Sequence, residues 1–183
     1  MKAITVKQPW ASLIALGIKP IENRTWKLPE KYKGQTVLIH ASASWDQYAD
    51  FTDQHLREMQ EKGFKFEKCV TGVIIGSVKF TDCVINHPSI WAEKSNTVYQ
   101  LAPDETDEDY PKPIYNWVLA NPIIFPEPIR AKGKLSFWDY PNILAEPEEK
   151  NGELFCHCQL TVNEENQVSN FDGRHECRYC GGK

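Results

Sequence analysis

The sequence predicts an α+β fold: a small barrel of short strands with a few helices packed on it, followed by a separate cysteine-rich module. Three observations lead there. Short β-branched runs recur between turn residues. Helical periodicity is confined to two segments, so strands do not alternate with helices as in a doubly wound sheet. Four of the six cysteines fall at or after position 156.

Residues 3–6 read as a short strand. In residues 8–17, Pro9 suits a first helical turn, where its missing N–H costs nothing. Trp10, Leu13, Ile14 and Gly17 then keep the spacing of one helical face, and Gly17 can close the helix in a left-handed conformation. Residues 20–27 read as extended, with Glu22, Arg24 and Trp26 on one side. Residues 36–41 form a buried strand with His40 near its exit. Residues 46–62 read as a polar helix with Phe51, His55, Leu56 and Met59 on its apolar face, stopped by Gly63. Residues 70–85 read as a strand in which Gly72 and Gly76 mark bulges or bends. The acidic run 104–110 is a solvated connection. Residues 115–119 and 123–125 read as two strands around Asn121-Pro122, and Pro126 and Pro128 keep the chain beyond them off a central strand. A linker rich in Pro and Glu separates a domain at 1–142 from a tail at 143–183.

Of the 183 residues, 41% are hydrophobic, which suits a packed domain and excludes a disordered one. No apolar run reaches membrane-spanning length, and the opening residues lack the apolar core of a signal peptide. The expectation is an intracellular, cytoplasmic protein that does not engage a membrane. The net charge of -4 excludes a general nucleic-acid coat protein. Residues 1–40, however, hold seven Lys or Arg against two Glu, so an anionic ligand would meet the N-terminal third.

Lys19, Glu22 and Arg24 concentrate the chemistry. Arginine offers a planar fork to a phosphate or a base edge. A lysine beside an arginine has its charged form disfavoured, which suits a base or nucleophile, while Glu22 favours the cation. A purely structural ion pair at a strand edge is the alternative. Trp10, Trp26 and Trp117 are of the kind that stacks on bases or fills a core; sharing a helix face with Leu13 and Ile14 points Trp10 toward the core. His40 leaves a buried strand, where a hydrogen-bonded structural role is commoner than catalysis. Ser42 has no visible His–Asp partnership and is not read as a nucleophile.

The run Gln8-Pro9-Trp10-Ala11, then Leu13-Ile14, Gly17, Lys19, Glu22, Arg24 and Trp26, resembles the opening motif of ASCH domains. Ile39-His40-Ala41-Ser42, the stretch from Gly72 to Gly76 with Asp82, and Trp117, Asn121-Pro122, Pro128-Ile129, Lys132-Gly133 and Trp138 continue the likeness to about residue 140. The resemblance implies a PUA-like mixed β-barrel with a few flanking helices. It also implies a cleft between barrel and N-terminal helix, lined by the opening motif, that takes RNA, another single-stranded nucleic acid or a modified base. Gln8, Trp10, Lys19, Glu22, Arg24 and Trp26 are then candidate ligand-binding residues, joined by His40, Ser42 and Trp117 from later strands. One branch of the family hydrolyses an acylated cytidine with a lysine, a threonine and a glutamate. Lys19 matches that lysine, and Glu22 stands where the threonine would be. Lys19 and Glu22 are therefore the candidate catalytic pair for the alternative of an amidohydrolase acting on a modified nucleoside.

In the tail, Cys156-His157-Cys158 and Cys177-Arg178-Tyr179-Cys180 have the layout of a small zinc ribbon, with Cys156, Cys158, Cys177 and Cys180 binding a structural Zn²⁺. Cys156-x-Cys158 is one residue tighter than the usual spacing, so His157 or His175 can substitute. Such a polar segment has no other source of order. It offers a third functional class, an adaptor whose protein partner docks on the tail.

Overall fold

The computed structural model describes residues 1–95 and 113–141, and beyond them the backbone of four short strands. The domain runs β1 (Lys2–Gln8), α1 (Trp10–Ala15), β2 (Ile21–Arg24), β3 (Thr36–Trp45), α2 (Asp53–Glu61), β4 (Val73–Ile85), β5 (Tyr115–Arg130) and β6 (Phe137–Asp139). These strands form one mixed sheet of order β2-β5-β4-β3-β1-β6. Within this sheet only β1 and β3 are parallel; the other neighbours are antiparallel. The expected mixed α+β architecture, with few helices, is what the chain adopts.

The sheet curls until its two ends meet through side chains. Phe137 on edge strand β6 stacks on Trp117 of β5, centroids 5.7 Å apart, and meets Trp26, just past β2, edge-on at 6.0 Å. Phe80 and Tyr32 complete this aromatic centre. Trp117 has no exposed surface, and its Nε1 donates to the Trp26 carbonyl at 3.2 Å, so even its polar atom is satisfied inside. A second cluster (Ala3, Leu38, Ile74, Phe125, Trp138) fills the opposite face. A third (Leu13, Ile18, Ile21, Met59, Trp91) ties α1 and α2 to the sheet.

Three elements differ from the sequence reading. The second helix begins at Asp53, because Thr52 and His55 form a reciprocal cap: the Thr52 hydroxyl accepts from the His55 backbone N–H, and His55 Nδ1 accepts from the Thr52 N–H. Residues 46–50 are therefore free to line a cleft. β3 continues past Ala41 to Trp45, because β1 continues beside it as far as Gln8. The two strands expected around Asn121-Pro122 are one, β5, which accommodates the turn residue with a left-handed Asn121 at φ +48°. The strand absorbs its prolines through uneven pairing. From Ile74 to Gly76 on β4, the β5 partner moves from Ile129 to Ile124, so Pro126 and Pro128 lie in the surplus length and no ladder donor is lost.

Gly76 sits at this irregularity, as expected for a bulge glycine. A Cβ there would lie 2.1 Å from the Ile123 carbonyl oxygen. No described helix is long and apolar enough to cross a membrane. The acidic run 104–110 lies outside the described residues. In the tail, β7 (Glu148–Lys150) pairs with β8 (Glu153–Phe155), and β9 (Gln167–Ser169) with β10 (His175–Cys177), both antiparallel.

Gly76→Ala is expected to lower stability by about 1–3 kcal/mol through overpacking against backbone that cannot swing away. Urea unfolding of the variant measures it; an unchanged midpoint would contradict the close approach.

Candidate ligand-binding cleft

A parallel pair cannot be joined by a tight turn; it needs a crossover. Here the crossover from β1 to β3 is α1 followed by β2, and it carries the residues that the opening motif singled out. It borders a cleft of about 1120 Å³. The exits of β1 and β3 (Thr5 to Lys7, and His40 with Ser42 and Ala43) open into the same space. Their register is broken between Val6 and Gln8, which frees the strand ends there.

Gln8 builds the crossover rather than the cleft surface. Its side chain is fully buried; Oε1 accepts from the Ser12 N–H at 3.1 Å, and Nε2 donates to the Val70 carbonyl. The amide thus satisfies one of the orphan donors of α1. Gly17, at φ +70°, ends the helix, and the N–H groups of Ile18 and Lys19 both return to the Leu13 carbonyl. A Cβ on Gly17 would also lie 2.7 Å from Pro122. This reversal brings Lys19 back beneath the helix toward β2.

There Lys19, Glu22 and Arg24 meet. The Glu22 carboxylate accepts from Arg24 Nη2 at 2.9 Å, and its other oxygen lies 3.4 Å from Lys19 Nζ. The Lys19 side chain is 5% exposed, Glu22 9% and Arg24 28%. Lys19 Nζ also donates to the Ile21 carbonyl and lies 5.6 Å from the centroid of the Trp10 ring. Burial holds the Lys19 amine below its ordinary pKa, and Arg24 adds to this, while Glu22 and Glu93 oppose it. The folded state therefore binds this proton less tightly than the unfolded chain does. Keeping Lys19 charged costs stability at low pH, and the cost fades as pH rises through the folded value toward 10.5.

One wall comes from the segments before α2 and before β5. Trp10 Nε1 donates to Asp46 Oδ2 at 2.8 Å and the ring packs on Phe51. Trp91 is buried, stacked on His55 at 4.2 Å, with its Nε1 on Glu58 at 2.8 Å; Asn23 on β2 holds its carbonyl. The other wall is the 131–136 loop. His40, 2% exposed, faces it, and its Nε2 donates to the Ala131 carbonyl at 2.9 Å. That assigns the proton to Nε2 and leaves Nδ1 bare, and desolvation holds the ring below its ordinary pKa of 6.5.

The structure thus brings Trp10, Lys19, Glu22, Arg24, His40 and Ser42 to one cleft. Gln8, Trp26 and Trp117 lie behind it, Trp26 half-buried against Trp117 at 4.5 Å. Sequence reasoning passed over Thr5, Asn23, Asp46, Trp91 and the lysines Lys7, Lys132 and Lys134, which also line the space. A lone tryptophan in a polar loop, Trp91, was the signal available. The Asp46 contact depends on strand length and had none.

Asp46 is held below its ordinary pKa of 3.8, first by the Trp10 indole N–H. With a depressed folded pKa, the bond's contribution is complete above 3.8 and is lost as pH falls through the folded value. Acidification is expected to shift tryptophan fluorescence in that window. Asp46→Asn, whose amide oxygen still accepts the indole N–H, should lose that component of the titration. Identical acid titrations for the two proteins would refute the assignment.

A family model described as the ASCH domain matches residues 4–129 of the chain. Curated protein sequences give no significant match. Among solved structures, an ASCH crystal structure from Zymomonas mobilis is similar over 70% of this chain and 72% of that one, with 14% identity and a TM-score of 0.38. A Tyr-to-Phe mutant of the Zymomonas mobilis protein covers 70% and 74%, and a Ser-to-Ala mutant 70% and 72%, both at 16% identity and a TM-score of 0.38. With well over half its length matched by the family model, the chain belongs to the ASCH domain family.

Proposed function

We propose that the cleft holds a nucleotide unit of RNA or another single-stranded nucleic acid. The observation that carries this reading is the Lys19–Glu22–Arg24 cluster beside Trp10 at the cleft. A buried carboxylate between two cations is an acceptor for base N–H groups. Arg24 is the most exposed of the three and suits a phosphate or a base edge. Lys7, Lys132 and Lys134 at the cleft supply further positive charge for a backbone. Membership of the ASCH family supports the same reading, since such domains are regarded as RNA-binding. The acidity of the whole chain restricts binding to a few nucleotides.

Lys19 favours a second reading, the modified-nucleoside amidohydrolase, because a buried amine with a lowered pKa is a base or nucleophile in waiting. One set of experiments separates the two. Titration with a short single-stranded RNA should show weaker binding for Arg24→Ala and about tenfold weaker binding for Trp10→Ala if a base stacks there. The salt dependence should be shallow. Unchanged affinity in both variants would refute the binding reading. Turnover of an acylated cytidine by the wild type, abolished in Lys19→Ala, would replace it with the enzyme.

For the tail we propose one structural zinc on Cys156, Cys158, Cys177 and Cys180. Cys156, Cys158 and Cys180 lie outside the described residues. The support is the backbone around them: one thiol pair comes directly after the hairpin of β7 and β8, and Cys177 ends the hairpin of β9 and β10. Four thiolates leave no open position, so the metal supplies folding free energy and no catalysis. Elemental analysis of protein purified without added metal should find about one zinc per chain. The Cys177→Ser, Cys180→Ser double variant should lose it. Retained zinc would shift the ligand set to His157 or His175.

A further inference from the structure

The 131–136 loop is fastened on both sides of its tip. Upstream, the Ala131 carbonyl accepts from His40 Nε2 at 2.9 Å. Gly133 lies so close to the His40 ring that a Cβ would come within 2.5 Å of it. At Lys134 the carbonyl accepts from the Thr5 hydroxyl at 2.9 Å, and that hydroxyl in turn accepts from Trp138 Nε1 at 3.2 Å. Downstream, Ser136 takes a left-handed conformation at φ +58° and leads into β6, whose Phe137 is locked in the aromatic centre. Between these anchors stands Leu135, 96% exposed, at the edge of the cleft.

A leucine on a slack loop would fold back onto apolar surface. Here the neighbours on both sides are tied down, and the favourable burial of the side chain is forgone. Lys132 and Lys134, both just before the tip, are exposed, and the Lys134 ammonium lies 5.9 Å from the Trp138 ring. An apolar tip preceded by two cations at the edge of the cleft suits a strand whose phosphates meet the lysines and whose bases offer an apolar stack.

We propose that Leu135 is a wedge that enters the base stack of an RNA strand beside the nucleotide held in the cleft. This rests on the nucleic-acid reading of the cleft and deepens it. The ligand becomes a nucleotide inside a strand, turned out of its stack, rather than a free nucleoside. Apolar side chains inserted between base steps fill the gap that an extruded base leaves.

The test compares wild-type protein, Leu135→Ala and Leu135→Phe. Each is titrated with a short single-stranded RNA carrying a fluorescent adenine analogue and, separately, with nucleoside monophosphates. Leu135→Ala should lose about tenfold in RNA affinity, together with the unstacking signal of the analogue, and keep its affinity for monophosphates. Leu135→Phe should restore both. Unchanged RNA affinity and signal in Leu135→Ala would overturn the wedge while leaving the cleft reading intact. Equal loss on monophosphates would make Leu135 a plain contact and also overturn it. Wild-type protein that binds neither ligand would fail the cleft reading itself, and the wedge with it.

Discussion

Everything at the cleft depends on β1 and β3 running parallel. An antiparallel pair could have been joined by a hairpin, and the chain would have had no reason to leave the sheet. The parallel register, Lys2 beside Val37 through Val6 beside Ala41, forces the intervening segment to cross over. The crossing carries a helix of six residues, a left-handed glycine, a four-residue strand and a 3-10 turn at Glu30–Tyr32. Trp10, Lys19, Glu22 and Arg24 all sit on it. Their placement is therefore tied to the backbone hydrogen bonds that hold β1 to β3 and β2 to β5.

A second consequence is electrostatic. The crossover packs against the sheet, and this puts Lys19 and Glu22 almost out of solvent. Two buried opposite charges compensate one another only with good geometry and further hydrogen bonds. Glu22 receives them from Arg24 on one oxygen, and Lys19 from the Ile21 carbonyl. The cluster carries one more positive charge than negative. That excess falls on Arg24, the most exposed member of the cluster.

The cleft walls show how remote segments are enlisted. Trp91 comes from the loop before β5, and it is placed by His55 and Glu58 on α2 and by Asn23 on β2. The opposite wall is set by His40, a residue that belongs to the core by burial and to the cleft by contact. Its single bond to Ala131 couples the loop to the centre of the sheet. Desolvation also holds the His40 ring below its ordinary pKa, which disfavours a further buried charge.

The sequence by itself determined the strands with strong β-branched patterns, the short first helix with its glycine stop, the bulge glycine Gly76, and the clustering of Lys19, Glu22 and Arg24. These are local properties: side-chain period, backbone permissiveness, and closeness in the chain. The tertiary structure decided which tryptophan does what. Trp10, pointed toward the core by its helical face and toward a ligand by the opening motif, is half-buried at the cleft, where Asp46 holds its indole N–H. Trp117, equally plausible as a stacking platform, is sealed in the core because the sheet curls around it. The second helix lost about its first two turns to the cap at Thr52, and two expected strands fused into β5 because uneven pairing absorbs their prolines. A side chain's face along its own element is written in local periodicity. Which of those faces meets solvent depends on contacts between residues far apart in the chain, and no local pattern carries that information.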